Sequence, residues 1–240
     1  VVVHELAHSW TGNLVTNANM EHFWLNEGFT VYAERRILEA LEGEEFMALH
    51  AAVGRNGLQH ELDRFGAGSP YTKLRTELQG VDPDDVFSLV PYEKGFLFVR
   101  LLHETVGQDK FDAYLKTYIE RFAFQTLTTE QFLEFTEEQL PGVLDQVGAR
   151  QWLYEPGVPA NEPTFASPRK DAVDALAAAW GEGKRPGPEM AVDWRPEEWL
   201  IYLEALPKAV EPKDCVALDE TFSLTKQGNN EILVAWLRLG

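Results

Sequence analysis

Two histidines four positions apart, His4 and His8 in His4-Glu5-Leu6-Ala7-His8, are followed nineteen positions later by Glu27 in Leu25-Asn26-Glu27-Gly28. No other feature constrains the fold as strongly. On a helix, residues i and i+4 lie on one face, one turn apart. Both imidazoles can then reach a single zinc ion at about 2.0–2.1 Å. Glu5 is offset by one position, so it sits beside such an ion rather than on it and can take a proton from a metal-bound water. Glu27 opens a second helical run, Glu27–Leu41, and supplies a third ligand, so two helical runs must meet at one ion. Two neutral imidazoles and one carboxylate leave a net charge of about +1 and a fourth position for water, whose pKa the ion lowers towards about 7.

His-Glu-x-x-His fixes only three positions and also arises by chance in ordinary helices. Glu27 favours the zinc reading, as does the helix-opening segment around it. The metzincin pattern is absent, because Thr11 and Leu14 stand where it needs a glycine and a third histidine.

The 240 residues suffice for one large domain or two smaller ones with a substantial core. A 45% hydrophobic share is that of a globular chain rather than a disordered one. The net charge of −18 argues against a nucleic-acid partner, which asks for basic patches. It could attract cationic peptides or amines, or simply solvate the surface. The single cysteine, Cys215, excludes an internal disulfide framework. Compartment stays open, with cytoplasmic favoured over secreted. No apolar run is long enough for a transmembrane helix. Val1-Val2-Val3 runs straight into the histidine motif, so the chain is expected to be a fragment lacking the amino-terminal part of its own enzyme.

Periodicity and punctuation then order the chain. A metal helix is expected from Val1 to about Asn13, then a connection, then Glu27–Leu41 with Asn26 as its cap and Gly43 as its stop. Helices follow at 46–65, 91–106, 110–122 and 129–139, with a break at Gly66–Pro70 and a turn or helix start at Asp82–Asp85. Thr72–Leu78 reads as strand or loop, and Thr128 or Thr129 as a cap. Residues 155–168 hold four prolines and read as a linker. Short helices resume at 170–180, 196–206, 213–225 and 230–239, as in a helical solenoid, although no repeat is visible. The fold class is mainly α, with domains at 1–154 and 169–240.

Three stretches carry a family resemblance: His4 through Asn13, Phe23-Trp24-Leu25-Asn26-Glu27-Gly28, and Pro91-Tyr92-Glu93-Lys94-Gly95. They resemble the gluzincin zinc aminopeptidases, in particular the leukotriene-A hydrolase and aminopeptidase B branch. The similarity continues through Trp152–Gly157 to Trp236–Leu239. It implies the helical lobe of a thermolysin-like catalytic domain, followed by the start of an armadillo-like helical domain. It also implies one Zn2+ on His4, His8 and Glu27, Glu5 as general base, and peptide substrates with a free amino terminus. Tyr92 matches the tyrosine that stabilises the tetrahedral intermediate; the residue alone favours a half-buried core tyrosine instead. Glu34 shares a helix face with Glu27 and is either a partner of a ligating histidine or a solvent-facing glutamate. Asp84 matches an aspartate linked to epoxide hydrolysis, or is a turn residue. Phe87 stands where the mammalian leukotriene enzyme has a tyrosine, which counts against that activity.

The family's amine-recognition motif, Gly-x-Met-Glu-Asn, lies upstream of the zinc motif and is not in this sequence. Asn19-Met20-Glu21-His22 looks similar but falls between the ligand segments and is not the anchor. The branch's carboxylate-binding basic residues lie beyond Gly240. Residues 1–240 alone are therefore expected to have little aminopeptidase activity. The rival readings are a thermolysin-type endopeptidase, a lipid epoxide hydrolase and a non-catalytic helical fragment.

Overall fold

The computed structural model describes residues 2–66, 68–207 and 210–239. Val1, Ala67, Lys208, Ala209 and Gly240 lie outside the described residues, and with them the first residue of the expected metal helix and the middle of the Gly66–Pro70 break. The chain divides into two compact units, Val1–Leu41 with Gly54–Thr164, and Glu42–Val53 with Phe165–Gly240.

Up to residue 164 the order is α1 (Val2–Ala7), β1 (Val15–Asn17), α2 (Trp24–Glu42), α3 (Glu44–Phe65), α4 (Val90–Val106), α5 (Gln108–Phe122), β2 (Gln125–Leu127), α6 (Thr129–Gln139), α7 (Val143–Val147) and α8 (Ala149–Tyr154). Then come α9 (Pro168–Ala178), α10 (Pro196–Ala205), α11 (Pro212–Phe222) and α12 (Asn230–Leu237). The fold is mainly α, as the periodicity requires. Among the described residues no helix is long and apolar enough to cross a membrane.

The local signals explain most boundaries. Gly43 follows α2 at φ +95° and Gly107 follows α4 at φ +83°, conformations that cost glycine little. Thr128 caps α6, and Gln131 returns the bond to the Thr128 amide, closing a capping box. Two expectations are corrected. The metal helix ends at Ala7 rather than near Asn13, because tight turns from Ser9 N to Leu6 O and Trp10 N to Ala7 O replace its α-helical bonds. Asn26 lies inside α2 rather than capping it; its Oδ1 accepts from Asn17 N at 2.9 Å, joining the helix to the end of β1. Of the two readings of 72–78, strand or loop, the loop holds: Pro70–Thr72 is a single 3-10 turn and the rest is loop. β1 and β2 pair in parallel with Val15 opposite Gln125, and strands this short leave no periodicity to read.

The proline-rich stretch is fastened to the first unit over its first half. Trp152 Nε1 donates to Asn161 Oδ1 at 3.1 Å, Gly157 N donates to Thr72 Oγ1 at 2.9 Å, and Arg55 Nε donates to Glu162 at 2.7 Å. The unit boundary falls between Thr164 and Phe165. The core of the first unit is aromatic. Trp24 meets Phe132 edge-on at 5.1 Å, and Phe29 stacks on Tyr118 at 5.2 Å. In the second unit Trp194, Trp199, Tyr202 and Phe222 form a separate cluster.

Two features of the first unit govern the helices that carry the candidate site. α2 and α4 touch through glycines: a Cβ on Gly28 would lie 2.8 Å from the Gly95 backbone, and one on Gly95 would lie 2.8 Å from Gly28 Cα. Lys94, next to Gly95, is fully buried. Its Nζ donates to Thr72 O and Glu155 O, both at 2.9 Å. Burial pushes its pKa down from 10.5 to about 7. A neutral amine has two N–H donors, which matches two carbonyl acceptors.

Gly95→Ala should destabilise the protein by about 1–2 kcal/mol, because overpacking against backbone at roughly 1–3 kcal/mol outweighs about 1 kcal/mol of helix propensity. Gly57→Ala is the control, since its Cβ would meet only the rotatable Leu89 side chain. Equal urea midpoints for Gly95→Ala and wild type would remove the close approach as a constraint. For Lys94, the unfolded chain holds a proton between pH 7 and 10.5 that the native state has released, so native stability must rise with pH across that window, by up to about 1.4 kcal/mol per unit. Lys94→Met should lack this rise when unfolding free energies are compared at pH 7 and 9.

Candidate metal centre

α1 presents His4, and the turn that follows it presents His8, whose N still bonds His4 O at 3.1 Å; the ring centroids are 4.8 Å apart and the planes nearly perpendicular. α2 brings Glu27 to both: Glu27 Oε2 is 3.4 Å from His4 Nε2 and 3.4 Å from His8 Nε2. One donor atom from each residue falls within a 4.8 Å span. Glu27 is only 5% exposed, and among the described residues no hydrogen-bond donor serves its buried Oε2. A buried carboxylate oxygen facing two imidazole nitrogens needs a positive charge beside it, from a protonated His4 or from a metal ion. The donor set, two nitrogens and one carboxylate oxygen, fits zinc with an open fourth position.

Each imidazole is oriented through its other nitrogen. His4 Nδ1 lies 3.2 Å from Glu34 Oε2, and His8 Nδ1 donates to Thr11 O at 2.9 Å. Both contacts put the ring proton on Nδ1 and leave Nε2 free for an ion. Glu34 is thus the histidine partner rather than a solvated glutamate. Glu27 first, then Glu34, hold the His4 pKa up at about 9, so an ion taking Nε2 displaces a proton. Burial works to raise the Glu34 pKa, but the hydrogen bond and charge of His4 outweigh it and the net shift is downward.

Thr30, Thr11 and Gly12 escaped sequence reasoning. Thr30 is fully buried, and its hydroxyl donates to Thr11 O at 2.8 Å while lying 3.2 Å from His8 Nδ1. With that proton spent, Thr11 Oγ1 is the donor in its 2.8 Å contact with Thr30 Oγ1. Gly12 wraps the His8 ring at φ +131°, where a Cβ would come 2.7 Å from Nδ1. A signal was present for Thr30: Glu27, Thr30 and Glu34 lie at i, i+3 and i+7 on one face of α2.

Tyr92 reaches the centre from the first turn of α4. Its ring stacks on His4 at 6.2 Å and is held edge-on by Phe23 at 5.8 Å and Phe87 at 6.1 Å. Burial first, then the charges of Glu27 and Glu5, push its phenol up to about 12, so it stays a neutral donor. Glu5 is exposed on α1 between the two histidines. Phe23, Phe87 and Pro91 also line a small cleft of about 40 Å³, together with Met20, Leu78 and Pro83. Asp84 is exposed in a 3-10 turn capped by Asp82. Glu21 is engaged elsewhere, accepting from Leu78 N at 2.9 Å and pairing with Arg75 at 3.0 Å.

Residues 1–152 match the model of the peptidase family M1 domain. Over its full length the chain is 38% identical to leucine aminopeptidase 2 of Aspergillus terreus, of which it spans 41%, and 38% identical to leucine aminopeptidase 2 of Ajellomyces capsulatus, of which it spans 40%. The structure of yeast LTA4 hydrolase in complex with bestatin superposes with a TM-score of 0.88 at 34% identity, over 99% of this chain and 43% of that one. An M1 zinc metallopeptidase from Deinococcus radiodurans, bound to a Tyr-Ser-Ala substrate, gives 0.54 at 25% identity over 68% of this chain and 34% of that one.

Thr30→Val keeps the shape of the side chain and removes its hydroxyl. It should weaken zinc binding by about 10–100-fold, the usual cost of losing a group that orients a ligating histidine. Thr30→Ser should restore most of the affinity. Competition with a chromophoric chelator measures both, and a wild-type Kd for Thr30→Val would leave His8 held by Thr11 alone.

Proposed function

The chain belongs to the M1 peptidase family, and on that footing we propose that it carries the zinc-binding and catalytic residues of an aminopeptidase. The observation that carries this reading is the convergence of His4, His8 and a buried, otherwise unserved Glu27 oxygen at one point, with Tyr92 beside it. His4 Nε2, His8 Nε2 and Glu27 Oε2 would hold the ion. Zinc bound there supplies a Lewis acid and brings the pKa of a coordinated water towards about 7.

The chain's own residues do the rest. The Glu5 carboxylate, offset from the ligands by one position, takes the proton from the attacking water and returns it to the leaving amine. The Tyr92 hydroxyl, kept protonated, donates to the oxygen on which negative charge develops. Phe23 and Phe87 both meet that ring edge-on and restrict its orientation. The relatives named leucine aminopeptidase 2 and the metallopeptidase bound to a tripeptide support a peptide substrate with a free amino terminus. The endopeptidase and epoxide-hydrolase alternatives have less behind them: Phe87 brings no hydroxyl to the cleft, and Asp84 is a turn residue in solvent.

Two variants of the full-length protein separate binding from chemistry. Glu27→Ala should lose zinc, whereas Glu5→Gln should keep it and turn over free-amine aminoacyl substrates roughly 10²–10⁴-fold more slowly. Metal analysis and steady-state kinetics read the two outcomes. Equal zinc in wild type and Glu27→Ala would sink the ligand assignment, and full turnover by Glu5→Gln the base. A peptide blocked at its amino terminus should not be cut; cleavage at the free-peptide rate would point to an endopeptidase.

A further inference from the structure

Arg35 follows Glu34 on α2, and Glu93 follows Tyr92 on α4. Arg35 Nη2 lies 2.9 Å from one Glu93 carboxylate oxygen and 2.8 Å from the other. The two side chains are 7% and 13% exposed. The guanidinium carbon sits 4.1 Å from the centroid of the Phe96 ring. Gly54 of α3 closes over the pair, where a Cβ would come within 2.3 Å of both Arg35 Nη2 and Glu93 Oε2.

Stability is a poor reason for such a pair. Desolvating two charges can cost more than their attraction returns, and apolar replacements of similar volume are often neutral or stabilising. What apolar side chains cannot supply is direction. The Gly28–Gly95 contact sets the distance between α2 and α4, but two bare Cα atoms leave either helix free to turn about its axis. A bond from a planar guanidinium to a carboxylate removes that freedom. Neighbouring side chains on a helix leave at about 100° to each other. Holding Glu93 therefore sets the direction of Tyr92.

We propose that Arg35 and Glu93 are positioning residues that hold the Tyr92 hydroxyl in register with the His4–Glu27 centre. This rests on the aminopeptidase reading for its kinetic readout. The pair touches neither the ligand atoms nor substrate, so its loss acts through Tyr92. Zinc content and substrate affinity should survive, and stabilisation of the tetrahedral state should not.

The test uses zinc-loaded full-length protein as wild type, Glu5→Gln, Arg35→Met/Glu93→Leu and Arg35→Lys. The lysine variant keeps the charges and loses the planar fork. In the double variant kcat should fall about 10–100-fold with KM within about threefold, the scale of a misplacement near 1 Å. In Arg35→Lys the fall should be smaller and in the same sense. Affinity for a leucine aminophosphonate, a tetrahedral mimic, should fall in step with kcat, while affinity for leucine itself stays at the wild-type value. Unchanged kcat and phosphonate affinity in both variants would overturn the proposal, as would parallel losses of zinc, KM and kcat. Should the double variant not fold, Arg35→Lys decides alone. A wild type no more active than Glu5→Gln would sink the aminopeptidase reading instead, and the phosphonate and leucine affinities would still judge the clamp.

Discussion

The candidate site depends on how closely two helices can approach. Gly28 and Gly95 let α2 and α4 meet backbone to backbone. Each glycine is one to three positions from a residue of the site, Glu27 on α2 and Tyr92 on α4. Side chains at that crossing would drive the helices apart, to the 8–10 Å axial separation usual for packed helices or beyond. Glu27 and Tyr92 could then no longer both face α1. A centre of three short side chains has little slack, since carboxylate and imidazole reach only a few ångströms from their helices.

Around that crossing the polar groups that fix orientation are buried. Glu34, Thr30 and the Thr11 carbonyl hold the far nitrogens of the two imidazoles, and Lys94 ties the first turn of α4 to Thr72 and Glu155. A buried group that must satisfy its hydrogen bonds permits few alternative geometries. This is how short helices with modest amphipathicity keep ligand atoms within the tolerance that catalysis requires. Glu27 Oε2, buried and without a hydrogen-bond donor at normal distance among the described residues, sits where those constraints converge.

The electrostatics of the site follow the same division. Glu27 and Glu34, one at each ring nitrogen of His4, raise its basicity, while burial and the charges of Glu27 and Glu5 keep the Tyr92 phenol protonated. One cluster of charge thus prepares a ligand set for a cation and a neutral donor beside it. Neither effect requires the overall charge of −18, which lies mostly on exposed side chains.

With Tyr92 added only by the family resemblance, the amino-acid order alone determined the helical class, the stop at Gly43, a cap at Thr128 or Thr129, and the residues expected at the centre: His4, Glu5, His8 and Glu27. These are local facts, written in periodicity, in turn chemistry and in spacings within one helix. It overextended the metal helix, because nothing local announces that the chain turns at Ala7 to bring Thr11 O onto His8. It read residues 155–168 as a linker, and composition does not reveal that Gly157, Asn161 and Glu162 find partners in the first unit. It left Glu34 undecided and passed over Thr30 and Gly12. Only the tertiary structure decided these. Whether a polar side chain orients a ligand or faces water depends on what stands within about 3 Å of it, and here that neighbour lies 3 to 30 residues away along the chain.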